Sequence, residues 1–383
     1  MKLLKNSLIT YRLQLLLAII VVSINTLYRG GVTSLLVLLL LMIALLFTSV
    51  ARLSRNLQYI NWGIQILTAP FLLSFTTGSL LMLTGTSHFI SILVLLSYLV
   101  IFIPYTKLYV KPLRNTWLRL LWVIFFFQIA IGPASYYGIT ATTGNGWFTS
   151  LMTTGCLGAI AYLVVIIKAF ASWHLQTPRS FAKYHVKVNW GVILVYLLLV
   201  LLFLYSNLAN YQELRMKSGL QLWQAFLTSL ESGIGEETLC RFAILTLLML
   251  LCRHSKWKVP LVILASSLIF GLLHFINLID QSWSLTVYQF CFTTISGIFF
   301  ALIFLYTGQL WLVMTIHFVM DFASSFSGVS EMNSTISLAD YQSILVLALL
   351  MLVLTIWMMR GKRGKVMKAR AQLLITKNNL RLV

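Results

Sequence analysis

The chain holds eight acidic side chains in 383 residues, and all lie between Glu213 and Asp340. Any chemistry that needs a carboxylate must be run from the C-terminal half. Three stretches there have residue types and spacings fit for it. The first is Gly235-Glu236-Glu237-Thr238-Leu239-Cys240-Arg241. Glu237 and Arg241 are four apart, so on a helix they share a face and can pair. Glu236 then points about 100° away. One carboxylate is neutralised structurally and the other is left for a reaction. The plain alternative is two carboxylates at a helix N-terminus, favoured by the dipole. The second stretch is Phe270-Gly271-Leu272-Leu273-His274, with Asn277 three positions on as a partner or a second polar group on the same face. Alone, such a histidine reads as a hydrogen-bonded packing residue. The third is His317-Phe318-Val319-Met320-Asp321, again a pair on one helix face. It can satisfy itself, or hold a proton, a metal or a developing oxyanion.

The elements that must position these groups are apolar. The sequence is 60% hydrophobic and 9% charged, where soluble domains average roughly 45–50% and about 25%. Lipid must therefore be its solvent, which predicts an all-α, polytopic transmembrane helical bundle. About twelve apolar runs suit a crossing, near residues 9–28, 33–51, 58–83, 88–106, 117–138, 147–170, 189–206, 235–252, 259–279, 284–305, 309–326 and 341–359. The N-terminal Lys2, Lys5 and Arg12 before Leu13–Val22 resemble a signal peptide. No small-residue cleavage site follows, so the run is read as a retained first helix. Leu220–Ile234 reads as a short or interfacial helix.

The net charge of +20 sits in short loops. Exits from even-numbered runs are basic, and most exits from odd-numbered runs are not, which predicts both termini in the cytoplasm. The cations are expected to face anionic lipid rather than nucleic acid, with the tail Arg360–Arg381 on the cytoplasmic leaflet. Trp117, Trp122, Trp147 and Trp173 read as interfacial anchors. Cys156, Cys240, Cys252 and Cys291 lie in or beside apolar runs with no CxxC pair, suggesting neither a disulfide framework nor a thiolate metal site. Three parts are expected: 1–188, an N-terminal multi-span module; 189–340, the core that holds the three stretches; and 341–383, the last span with a basic cytoplasmic tail.

Charged groups within lipid cost roughly 2.5–3.5 kcal/mol each and are functional by default. Gathering Glu236, Glu237, Arg241, His274, His317 and Asp321 into one bundle core satisfies them together. The ordered pattern EExxxR, FxxxH and HxxxD resembles the CAAX-protease and bacteriocin-processing (Abi) family of intramembrane endopeptidases. The resemblance covers about Leu220–Phe326 and nothing before about residue 190. It implies a CAAX-protease-like core and a metal-free reaction, with zinc the minority reading since nothing matches HExxH. By the same resemblance Glu236 and His274 polarise the attacking water. Glu237 and Arg241 are the structural pair, and His317 and Asp321 stabilise the oxyanion. Phe270 and Asn277 belong to the orienting set. Where many relatives carry Asn, this chain carries Asp321. An ionised Asp cannot donate a hydrogen bond, so it is either protonated or holds His317 as a charged donor.

The expected function is hydrolysis of a membrane-associated peptide or protein, in the plasma membrane of a bacterium. A membrane or cell-envelope protein is the further partner considered. Two other classes compete. One is a non-catalytic scaffold or bacteriocin self-immunity protein that keeps the same fold. The other is a proton-coupled transporter, for which the chain lacks mirrored halves.

Overall fold

The computed structural model describes residues 2–50, 55–84, 102–131, 147, 150–151, 154–178, 189–209, 219–326 and 336–375. Most of the fourth apolar run, the 179–187 junction, the end of the tail and parts of the fifth and sixth runs lie outside the described residues. The elements are α1 (Lys2–Arg29), α2 (Val32–Val50), α3 (Arg55–Thr84), α4 (Phe102–Tyr105), α5 (Thr116–Ile131), α6 (Cys156–Ser172), α7 (Trp190–Ala209) and α8 (Gly219–Glu237). They continue with α9 (Leu245–Leu251), α10 (Lys258–Leu273), α11 (Trp283–Thr307), α12 (Leu310–Ser324), α13 (Leu338–Met359) and α14 (Gly361–Leu374). No strand occurs among the described residues. This is an all-α membrane protein. Asn6–Tyr28, Val32–Ser49, Lys258–Ile279, Trp283–Thr307 and Leu338–Met359 are long and apolar enough to cross a bilayer, and several shorter apolar helices accompany them. Among the described residues these are five, where hydropathy read twelve runs over the whole chain.

The chain divides into two compact units. One comprises Met1–Trp173 with Gly219–Glu231, the other His174–Ser218 with Ser232–Val383. In the first, α1, α2 and α3 pack on one another and are tied by buried polar groups. The Tyr11 hydroxyl donates to Gln65 Oε1 at 2.7 Å, and Gln65 Nε2 donates to the Ala44 carbonyl at 2.8 Å. Without water, such bonds hold helices together. Arg12 is not a free cation of the N-terminal segment. It donates to the Thr48 hydroxyl and carbonyl at 3.0 and 2.9 Å, at the C-terminal end of α2, where the dipole favours it. Trp122 and Trp173 are buried against each other, ring centroids 6.0 Å apart, so they are core and not interfacial anchors. Trp117 and Trp147 are exposed, as anchors should be.

The second unit carries the candidate chemistry. Leu220–Ile234 is no separate interfacial helix. The backbone is helical without a break from Gly219 to Leu251, passing from α8 through a π turn, Thr238–Ile244, into α9. At 1.5 Å per residue the run is roughly 50 Å long, against about 30 Å of hydrocarbon. Glu236 and Glu237 therefore sit in mid-helix, and the N-terminal dipole does not account for them.

Close helix approach depends on glycines. A Cβ at Gly233 in α8 would lie 2.7 Å from the Met314 carbonyl and 3.2 Å from the Phe318 nitrogen, both in α12. A Cβ at Gly297 in α11 would stand 2.9 Å from the Ser267 Cβ in α10, and one at Gly271 would collide with Thr294. These positions let backbones bearing the site residues come together. At the other end of α11, Gly308 (φ 71°) makes the turn into α12. The guanidinium of Arg370, buried in α14, packs on it.

Gly233→Ala should therefore lower the thermal midpoint in detergent, with a cost of about 1–3 kcal/mol from overpacking. Gly63→Ala, whose new methyl would meet open space in α3, should be neutral or stabilising, since alanine is the better helix former. Scanning fluorimetry of both variants compares them directly.

Candidate active site

The site is built around Glu237, which is fully buried in mid-helix. One carboxylate oxygen faces Arg241 Nε at 3.1 Å, as the i, i+4 spacing anticipated. The other accepts from His317 Nδ1 at 2.8 Å, a bond across 80 residues that the spacing did not reveal. A carboxylate accepts, so Nδ1 carries the proton, and the ring is fixed with Nε2 turned away. Nε2 faces two further carboxylates, Asp321 Oδ2 at 3.5 Å and Glu236 Oε2 at 3.8 Å. The neighbouring glutamates thus reach opposite edges of one imidazole, and Glu236 is not the isolated group that helical geometry alone suggested.

Arg241 is also fully buried. Its Nη1 and Nη2 atoms find no hydrogen-bond acceptor among the described residues. Aromatic faces take that place, with the guanidinium carbon 4.3 Å from the centre of the Phe270 ring and 5.2 Å from that of Phe300. A desolvated cation over such rings gains about 2 kcal/mol or more. The same two rings hold His317. Phe300 stacks on it at 5.1 Å and 23°, and Phe270 meets it edge-on at 6.3 Å.

His274 caps α10 and opens the 3₁₀ turn His274–Ile279. It is a junction residue rather than one inside a regular span. Its Nδ1 lies 3.0 Å from the Phe270 carbonyl. A carbonyl only accepts, so Nδ1 is the donor in this contact. The Phe270 ring stands edge-on to His274 at 5.0 Å and 87°. Glu236 is within electrostatic reach of both His274 and His317. Asn277 does not pair with His274. It donates to Gln289 of α11 at 2.9 Å, tying the 3₁₀ turn to the next helix.

Exposure grades across the cluster. The side chain of Glu237 is closed off, His317 is 9% exposed, Glu236 24% and Asp321 38%. Glu236 and Asp321 therefore mark the open side, and Glu237 with Arg241 the floor. Among the described residues no group of three or more His, Cys, Asp or Glu side chains is arranged to hold a metal ion.

The segment that carries this cluster is similar to a known family. Residues 218–323 match the family model described as type II CAAX prenyl endopeptidase Rce1-like. The match includes every residue of the cluster and covers less than a third of the chain. No curated protein and no solved structure matches the sequence. Residues 218–323 are thus similar to a family of proteases. Sequence reasoning did not find Phe300, Gln289 or Gly233. Each lies in an apolar or glycine-containing run with no local pattern to mark it.

Glu237→Gln should cost about 3–5 kcal/mol, because it leaves the buried Arg241 without its counter-ion. Glu237→Leu combined with Arg241→Leu should lose less than the sum of the two single changes. A double-mutant cycle of thermal unfolding measures this, and additivity would show that the ion pair contributes no coupling.

Proposed function

We propose that the chain is an intramembrane endopeptidase that hydrolyses a peptide bond of a membrane-associated peptide or protein. The observation that carries the reading is the convergence of Glu236, His274, His317 and Asp321 around a buried Glu237–Arg241 pair. Glu236 and His274 act as general bases on a water molecule. The water gives up its proton as its oxygen attacks the scissile carbonyl. His317, held through Nδ1 by Glu237, donates from Nε2 to the resulting oxyanion. The C–N bond then breaks, and the proton taken by the bases passes to the leaving amine. Asp321, 3.5 Å from His317 Nε2, holds that nitrogen protonated rather than contacting the oxyanion itself. Phe270 orients His274 through its carbonyl and His317 through its ring.

In this reading no cofactor takes part. Residues 189–340 form the peptidase core, 1–188 an N-terminal multi-span membrane module, and 341–383 the last span and its cytoplasmic tail. The alternation of basic and neutral exits supports both termini in the cytoplasm; the membrane is taken as the plasma membrane of a bacterium, with the candidate residues meeting in the outer half of the bilayer.

Purified protein in liposomes should cleave members of a library of membrane-tethered peptides. Glu236→Gln and His274→Ala should each lower the rate about 10²–10⁴-fold, with chelator leaving the wild type unaffected. Loss of activity on chelation, restored by zinc, would favour the zinc mechanism. No cleavage by wild type, with both variants keeping the cellular phenotype, would make the chain a scaffold or immunity protein of the same fold.

Orientation is tested separately by accessibility labelling. Asp280→Cys should react from outside intact cells, and Arg253→Cys only after permeabilisation. The reverse pattern would invert the topology.

A further inference from the structure

At the end of the second unit away from His274, the chain leaves α13 at Arg360 and turns into α14. That helix is not a loose basic tail. Met367, Arg370, Ala371 and Leu374 are buried, and α14 packs on α9, α10 and α11. Lys258 at the start of α10 donates to Gln372 at 2.7 Å. Arg363 lies 4.0 Å over the Trp357 ring and donates to its carbonyl, pinning the corner. With one side fixed to protein, the other side of α14 presents Lys362, Lys365 and Lys368, all exposed at helical spacing. The adjoining α9–α10 loop adds exposed Arg253 and Lys256, and Trp257 at 72% exposure. The sequence places no Asp or Glu in residues 238–279 or 341–383, so no acid of these segments neutralises the face.

We propose that this rigid cationic face is a docking surface for the headgroups of anionic phospholipids in the leaflet it meets. Its place fixes the occupant. Two candidate spans, Lys258–Ile279 and Leu338–Met359, respectively begin and end at this face, so its lysines stand at headgroup level. An exposed tryptophan beside them suits the interface between water and hydrocarbon. A polybasic cluster next to a span end attracts acidic lipid. Because α14 is already folded against the core, the lysines are held in place before lipid arrives and lose little freedom on binding. This surface is separate from the candidate active site, and the inference does not rest on peptidase activity.

The test uses the full chain in mixed liposomes with labelled phosphatidylglycerol and labelled phosphatidylcholine, and measures the preference for the anionic lipid at the protein. Each lysine at such a surface is worth about a five-fold change. Lys362→Glu with Lys365→Glu should therefore lower the preference by roughly 25-fold or more. Lys362→Gln with Lys365→Gln should fall between that variant and wild type, which separates charge from damage to the helix. The charge-matched control, Lys107→Glu with Lys111→Glu in the first unit, should lower the preference by clearly less, since those two lysines also meet anionic lipid but lie outside this face. An equal fall in the control would overturn the proposal. So would displacement of phosphatidylglycerol by inorganic phosphate at matched concentration, which would mean a soluble-anion site.

Discussion

A single buried carboxylate organises the candidate site. Glu237 has no access to solvent, so its charge is tolerable only because Arg241 and His317 share it. Arg241 in turn is tolerable only because Glu237 and the faces of Phe270 and Phe300 surround it. Removing one member strands the others in a medium that cannot solvate them. The reactive side of the cluster inherits its geometry from that closed floor. His317 is aimed by Glu237, and Phe270 touches both histidines. The peptidase reading therefore rests on a network that rigidifies itself, and the open groups, Glu236 and Asp321, are carried on helices the network already holds.

Much of this was legible in the sequence, and the division between what was and was not has a physical basis. The Glu237–Arg241 pair follows from i, i+4 spacing, since one helix brings the partners together whatever the tertiary packing. The confinement of acids to the C-terminal half pointed to the region where the cluster forms, because ionisable groups in lipid are too costly to scatter. What local periodicity cannot supply is the long-range partner. Nothing in the spacing distinguishes a His317 bound to Glu237 from one that pairs only with Asp321. The partner of Asn277 was hidden for the same reason, because its acceptor, Gln289, comes from the next helix. Phe300 was invisible because an aromatic in an apolar run carries no mark of what it stacks on.

Hydropathy erred where composition is ambiguous. It separated Leu220–Ile234 from the run that follows, because Glu236 and Glu237 interrupt the apolar pattern. The structure shows one helix, and the interruption lies in the candidate site. Charge counting likewise grouped Arg12 with Lys2 and Lys5 as a leader-like basic segment, although it donates to the Thr48 carbonyl at the end of α2. It treated Trp122 and Trp173 as anchors because tryptophan near a span end usually is one. In both cases a side chain with a polar tip and a long apolar body found protein where lipid or water was expected.

The π turn at Thr238–Ile244 gives the long helix a property an α-helix of equal length would lack. A wide turn takes up one residue more than an α turn would, and one residue corresponds to about 100° of rotation about the axis. The stretch before it and the stretch after it are therefore out of phase. The first aims Glu236 and Glu237 into the cluster, while the second, Leu245–Met249, is buried as packing. The turn works as a splice between two registers. The chemical half can keep its aim while the packing half meets its own neighbours, and a single-residue deletion within the splice would merge the two phases and swing one face away from its partners.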